Sequence, residues 1–285
     1  MKSLLAAAAL LSFSVAGSAA AADAPSVLFP APFAVEHQLV QTDSDGSEFR
    51  TDPVTDTYFG SHLVSVRADG SRVVVDFVRR EITEVSVRKS TYWTLSFSRM
   101  GDLSHRLGRA QGGLAAAAPA RPAAAGARPV IRVEEVGSDT SGRLPLTATA
   151  GAKPGIRHVR AFVEPGNAVD VWLDGSMRLG AAALDALEAF ENEALGAGAP
   201  DGVGPAALVA AARRAADGGV PLRVRRPLPG GGTSEDVVLS LRPLPSVSQS
   251  LLVVGEGFRR VVSPLEEMVA FAEEEAARDP SRRFR

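Results

Sequence analysis

The stretch HLVSVRADGSRVVVDFVRREITEVSVRKSTYWTLSF, residues 62–97, sets the fold class of this chain. His62–Arg67, Arg72–Val78, Arg80–Lys89 and Thr91–Phe97 are rich in Val, Ile, Thr and aromatic residues, and each has the length of a strand. Asp69-Gly70 divides the first two, and an Asp-Gly pair suits a tight hairpin turn. Connections this short leave consecutive strands as antiparallel neighbours, a meander. Alternation places Trp93, Leu95 and Phe97 on one face, with Tyr92, Thr94 and Ser96 on the other. Val73, Val75 and Phe77 share a face in the same way. These six apolar residues are the candidate lining of a concave wall. Helical character begins near Ser98 and continues to about Arg109.

Upstream, Phe33, Val35, His37 and Leu39 alternate with Ala34, Glu36 and Gln38, and Asp43-Ser-Asp-Gly46 supplies a turn. Residues 23–32 read as a flexible lead-in. Before them, a positive start at Lys2, the apolar run Leu4–Leu11 and Ala20-Ala21-Ala22 have the order of a secretory signal peptide over residues 1–22, with cleavage expected after Ala22. The run is shorter than the ~20 residues of a spanning helix, so no stable membrane anchor is expected. The expectation is a soluble periplasmic or secreted protein of a Gram-negative bacterium. The chain has no cysteine, which excludes a disulfide scaffold, a thiol nucleophile and a lipidated cysteine. Its formal charge is −2, becoming −3 when Lys2 leaves with the signal. Such a balance gives no electrostatic reason to expect nucleic acid or an anionic membrane as partner.

Downstream, residues 112–128 are an Ala/Pro/Gly tract with little to bury, expected to be a linker or mobile loop. Strand patterns resume at Val130–Val136, Leu144–Thr149, Arg157–Glu164 and Val169–Leu173. Ala181–Leu195 then reads as an amphipathic helix with Ala183, Leu187, Phe190 and Ala194 on one side. A second helix fits Pro205–Ala216, ended by Gly218-Gly219. Strands follow at Pro221–Arg226, Asp236–Leu241 and Gln249–Val254. Ser263-Pro-Leu-Glu266 opens a last helix as a capping box. Residues 33–110 have several strands but only one helix to cover them, and the strands of the second half likewise have edges that need partners. A single α+β domain over residues 33–285, interrupted by the 112–128 tract, is therefore expected.

No catalytic constellation is visible. His37, His62, His105 and His158 show no ligand spacing, there is no cysteine for a structural zinc site, and neither a metal nor another cofactor is expected. His37, on an apolar strand face, and His158 read as satisfied core or lining residues. Ser176 lacks the glycines of a nucleophile elbow and sits in a turn. Gly230-Gly231-Gly232 joins two strands with no lysine and no helix to follow, which is a poor phosphate loop. Asp43–Glu48 starts like a calcium loop but lacks its third acidic ligand and its distal Glu. Trp93 and Trp172 fit either a core or a cavity wall.

An export signal ahead of an antiparallel meander with the Asp69-Gly70 hairpin, then Arg80-Glu81-Ile82-Thr83-Glu84-Val85 and Thr91-Tyr92-Trp93, and later Val169–Leu173 with a helix after it, form one recognisable order. It resembles that of uncharacterised periplasmic proteins with the fold of the outer-membrane lipoprotein carriers. The resemblance covers about residues 33–275. It implies a curved antiparallel sheet, an incomplete barrel, covered by helices and enclosing an apolar cavity. The 112–128 tract and Glu84 depart from the pattern. The expected function is therefore non-enzymatic binding or carriage of an apolar, lipid-like ligand between sheet and helices, against Val73, Val75, Phe77, Trp93, Leu95 and Phe97. A secreted structural or protein-interaction module with a closed core is the alternative, and a hydrolase ranks below both.

Overall fold

Strand β1 (Phe29–Thr42) is the seam of the molecule: one edge pairs with β3 (Val54–Gly60) and the other with β12 (Thr233–Pro243). The computed structural model describes residues 27–111, 130–138, 155–163, 168–194, 205–228 and 230–278. From β3 the meander runs through β4 (His62–Val66), β5 (Arg72–Asp76), β6 (Glu81–Ser86) and β7 (Thr91–Ser96). From β12 the sheet continues through β11 (Gly219–Pro227), β10 (Ala168–Arg178), β9 (Ile156–Phe162) and β8 (Arg132–Ser138). A short β2 (Glu48–Arg50) folds back on β1, and β13 (Arg259–Arg260) lies parallel to β7. Every other pairing is antiparallel. Strands from both sides of residues 112–128 thus share one hydrogen-bonded sheet. It is not closed into a barrel: among the described residues β8 and β13 stand at its two ends. Four α-helices accompany it among the described residues, α1 (Phe97–Gln111), α2 (Ala181–Ala194), α3 (Pro205–Ala215) and α4 (Pro264–Arg278), an α+β arrangement.

Three local expectations need correction. The stretch 23–32 is not a lead-in throughout, because β1 begins at Phe29. The Phe29 ring is buried against Phe33, Tyr58 and Phe77. The register with β3 shifts between Phe29 and Phe33, so Pro30 and Pro32 fall in an irregularity that spares the ladder their missing N–H groups. Gln249–Val254 is not a strand; Gln249–Leu251 forms a 3₁₀ turn capped by Ser248. Where the turn ends, a side chain takes the next carbonyls, since the Arg72 guanidinium donates to the Leu251 and Val253 oxygens. Finally, residues 54–60, which lack a strand's apolar alternation, form β3, whose inward face mixes Asp56 with Tyr58. The signal segment 1–22, the 112–128 tract and the strand expected at 144–149 lie outside the described residues.

Two apolar layers hold the helices. Val159, Val171 and Leu173 of β9 and β10 form one cluster with Ala207, Leu208 and Ala212 of α3. On the other half of the sheet, Phe190 of α2 meets Phe77 edge-on at 6.0 Å and Phe97 at 4.9 Å. α1 and α2 touch at Gly101, where even a methyl group would overlap the Glu193 carbonyl oxygen. At the end of the chain α4 leans on α1 through Arg106, which donates two hydrogen bonds to Glu273 at 2.9 and 2.8 Å.

The capping box at α4 forms as its spacing predicts. Ser263 Oγ accepts from the Glu266 N–H at 3.2 Å, and Glu266 Oε2 accepts from the Ser263 N–H at 3.3 Å. Ser263→Ala is expected to cost about 1 kcal/mol in a denaturant midpoint, as the loss of an N-cap does. No change in that midpoint would mean that α4 adds nothing to the cooperative unit.

Candidate functional site

Inward-facing residues of β5 and β7, with Phe77 in the turn after β5 and Phe97 at the start of α1, bring all six expected lining residues together. Val75, Phe77, Trp93, Leu95 and Phe97 are buried in one apolar cluster, and Val73 packs half-buried against it. Leu103 of α1 and Leu184, Leu187 and Phe190 of α2 belong to the same cluster. Between α2 and α3 runs a crevice lined by Leu184, Leu187, Glu188, Glu191, Ala210 and Arg213, too narrow to admit a water molecule.

The same inner face carries a polar group that the sequence reading left unconnected. His37 is buried on β1 beside a register shift that follows Glu36. Its Nε2 lies 3.3 Å from Asp56 Oδ2 on β3, and its Nδ1 lies 3.1 Å from Asp236 Oδ1 on β12. Burial alone would lower the imidazole pKa, but Asp56 and then Asp236 outweigh it and hold it well above the ordinary value. The two carboxylates thus favour the protonated form of the His37 ring between them. In that form each ring nitrogen carries a proton toward a carboxylate and has no lone pair for a base or a metal ligand. Next to Asp56 on the same face, Tyr58 stacks on Phe33 at 4.6 Å, and burial raises its phenol far above the usual range.

On α2 the sequence contains a carboxylate whose burial it does not reveal. Glu191 is 2% exposed, and neither of its carboxyl oxygens has a hydrogen-bond partner among the described residues. Burial pushes its carboxyl well above the usual range. The Arg213 guanidinium on α3 opposes that rise, and Glu188 adds to it. One turn earlier, Glu188 accepts two hydrogen bonds from Arg214, each at 2.7 Å. Neighbouring glutamates of one helix thus have opposite surroundings, one paired with Arg214 and one enclosed without a hydrogen-bond partner among the described residues.

The opposite face of the sheet is a lattice of paired charges. Trp172 is sandwiched across strands between the His158 ring at 4.2 Å and the Arg223 guanidinium at 5.0 Å. His158 is tied to Asp170 at 3.2 Å, and Arg223 to Glu235. Ser176 lies within β10 and not in the turn its sequence suggested, and its Oγ donates to Asp174 at 2.6 Å on the same strand. Among the described residues, no group of three or more His, Asp or Glu side chains is placed to hold a metal ion.

No protein-family model and no curated protein matches the chain. Among solved structures it is similar to PNGF-II in its C2 crystal form, with TM-score 0.36 and 9% identity over 85% of this chain. The chain spans only 33% of that protein's length. It is also similar to an uncharacterised conserved protein from Thermus thermophilus, with TM-score 0.38 and 8% identity over 81% of this chain and 90% of the other. Likenesses of that degree carry no argument about activity.

Proposed function

We propose that this is an exported, non-enzymatic protein that takes an apolar, lipid-like chain against the wall of Val73, Val75, Phe77, Trp93, Leu95 and Phe97. In this proposal the open sheet is the incomplete barrel of a lipoprotein-carrier-like fold, and α2 occupies the ligand's place while no ligand is bound. One observation supports it above the rest: the helix seated on the wall carries the enclosed carboxyl of Glu191, which has no hydrogen-bond partner among the described residues. Enclosing such a group costs about 1–3 kcal/mol, an unfavourable choice for a permanent core and an acceptable one for a helix that moves aside. The second reading, a secreted interaction module with a closed core, is favoured by the tight crevice between α2 and α3.

Native mass spectrometry of the protein taken from periplasm, followed by titration with a long-chain fatty acid, separates the two. The proposed function requires a chain that starts at Asp23, lipid retained at a one-to-one ratio, and a saturable change in Trp93 fluorescence that Trp93→Phe removes. Lipid-free protein with no saturable change would overturn it and leave the closed module. Intact Met1 on the periplasmic protein would remove the cleavage after Ala22.

A further inference from the structure

We propose that Glu191 is a proton-operated latch on α2: protonated, it lets the helix stay seated on the apolar wall, and on losing its proton to solvent it lifts the helix and uncovers that wall. The wall as a ligand site rests on the function proposed above, whereas the latch stands on the packing around Glu191 alone.

Phe190 and Glu191 are consecutive residues of one helix. The Phe190 ring fills the space between Phe77 and Phe97, while the neighbouring carboxyl is enclosed with neither oxygen hydrogen-bonded among the described residues. A neutral carboxyl tolerates that enclosure at modest cost. A carboxylate does not, because an isolated charge loses far more on leaving water than a neutral group does. The crevice beside it has no room for the water that would solvate it. Ionised Glu191 can therefore reach water only if α2 and α3 part, and α2 takes the Phe190 ring with it.

The charges around the group do not cancel this effect. On its own helix, Glu188 repels a second negative charge even though Arg214 pairs with it, and Glu193 turns away to pair with Arg80. On α3, Arg213 attracts the carboxylate, yet burial is the larger influence on Glu191. From the sheet, Tyr58 of β3 and Asp236 of β12 also act on the charge of Arg213. The His37 ring sits between Asp56 and that same Asp236. A carboxyl whose pKa is raised in the closed form favours that form below its ordinary pKa, and the advantage disappears as pH rises through the raised value. Opening is thus expected with rising pH.

The test is binding of the apolar dye anilinonaphthalene sulfonate to the full chain, to E191Q and to E191L, with circular dichroism to establish that each is folded. From about pH 5 to about pH 9 the opening constant of the wild type should rise, by about tenfold per unit between Glu191's ordinary and raised pKa values, and then level off. E191Q and E191L, which cannot ionise, should bind little dye throughout. A flat wild-type profile, or either variant tracking the wild type, would overturn the latch; the second outcome would point to His37, which titrates in the same direction. Fatty-acid titration at both ends of the range keeps the two proposals apart. Opening without uptake retires the ligand and keeps the latch. Uptake of equal affinity at both ends, in wild type and E191Q alike, retires the latch and keeps the ligand.

Discussion

Replacing His37 by alanine is expected to cost about 3–5 kcal/mol, the range for removing one partner of a buried ion pair. The loss is not chiefly that of the imidazole's own contacts. It comes from leaving Asp56, whose Oδ1 is already enclosed without a partner among the described residues, and Asp236 facing one another with no cation between them. The cost has a definite pH dependence. Because His37 holds its proton well above the ordinary range, its contribution is complete below the unfolded imidazole value of ~6.5 and is lost as pH rises through the raised folded value. Chemical denaturation of wild type and His37→Ala along a pH series should therefore show two curves far apart near neutrality that converge on the alkaline side. A gap below about 1 kcal/mol, or one that does not change with pH, would mean that the imidazole is not the cation holding β1, β3 and β12 together. In a background where Asp56→Asn and Asp236→Asn are already present, the same substitution should cost much less, since no buried charge is then stranded.

The meander and the second-half helices were legible because each carries its own period. Thr91–Ser96 alternates strictly, and the face holding Trp93 and Leu95 is the buried one. Ala181–Ala194 has its apolar stripe where 3.6-residue spacing puts it, with Phe190 at the centre of the contact. What escaped was long-range. His37 was visible as an oddity on an apolar face, but Asp236 lies 199 residues away in sequence, and no local pattern joins them. Asp56 is a second such case: pointing inward, it disguised β3 as a loop. Glu191 is the hardest, because helical spacing alone cannot say whether a glutamate beside the apolar stripe is solvated. That depends on α3, which closes over it. Gln249–Val254 shows the opposite error: its residues suit a strand, but Arg72 claims the carbonyls a ladder would have used.

Truncating Phe190 to alanine should cost about 3–5 kcal/mol, the range for losing a large aromatic side chain from a core. The ring is 2% exposed and touches two other rings, so the loss combines apolar burial with aromatic contacts worth about 0.5–1.5 kcal/mol more. Phe271 on α4, 63% exposed, is the control, and Phe271→Ala should stay within about 0.5 kcal/mol of wild type. The space left by Phe190→Ala would be bordered by Phe77, Phe97 and Leu187, an apolar void that water does not readily fill. A small aromatic molecule such as benzene should then raise the melting temperature of the variant and not that of the wild type. The size of the loss also bears on whether α2 is seated firmly enough for a latch to matter. A cost near 1 kcal/mol with no rescue by benzene would mean that the helix is already loose on the wall, so that ionising Glu191 has nothing left to release. A cost in the full range, relieved by benzene, means that one ring closes the wall and that the carboxyl next to it is placed to open it.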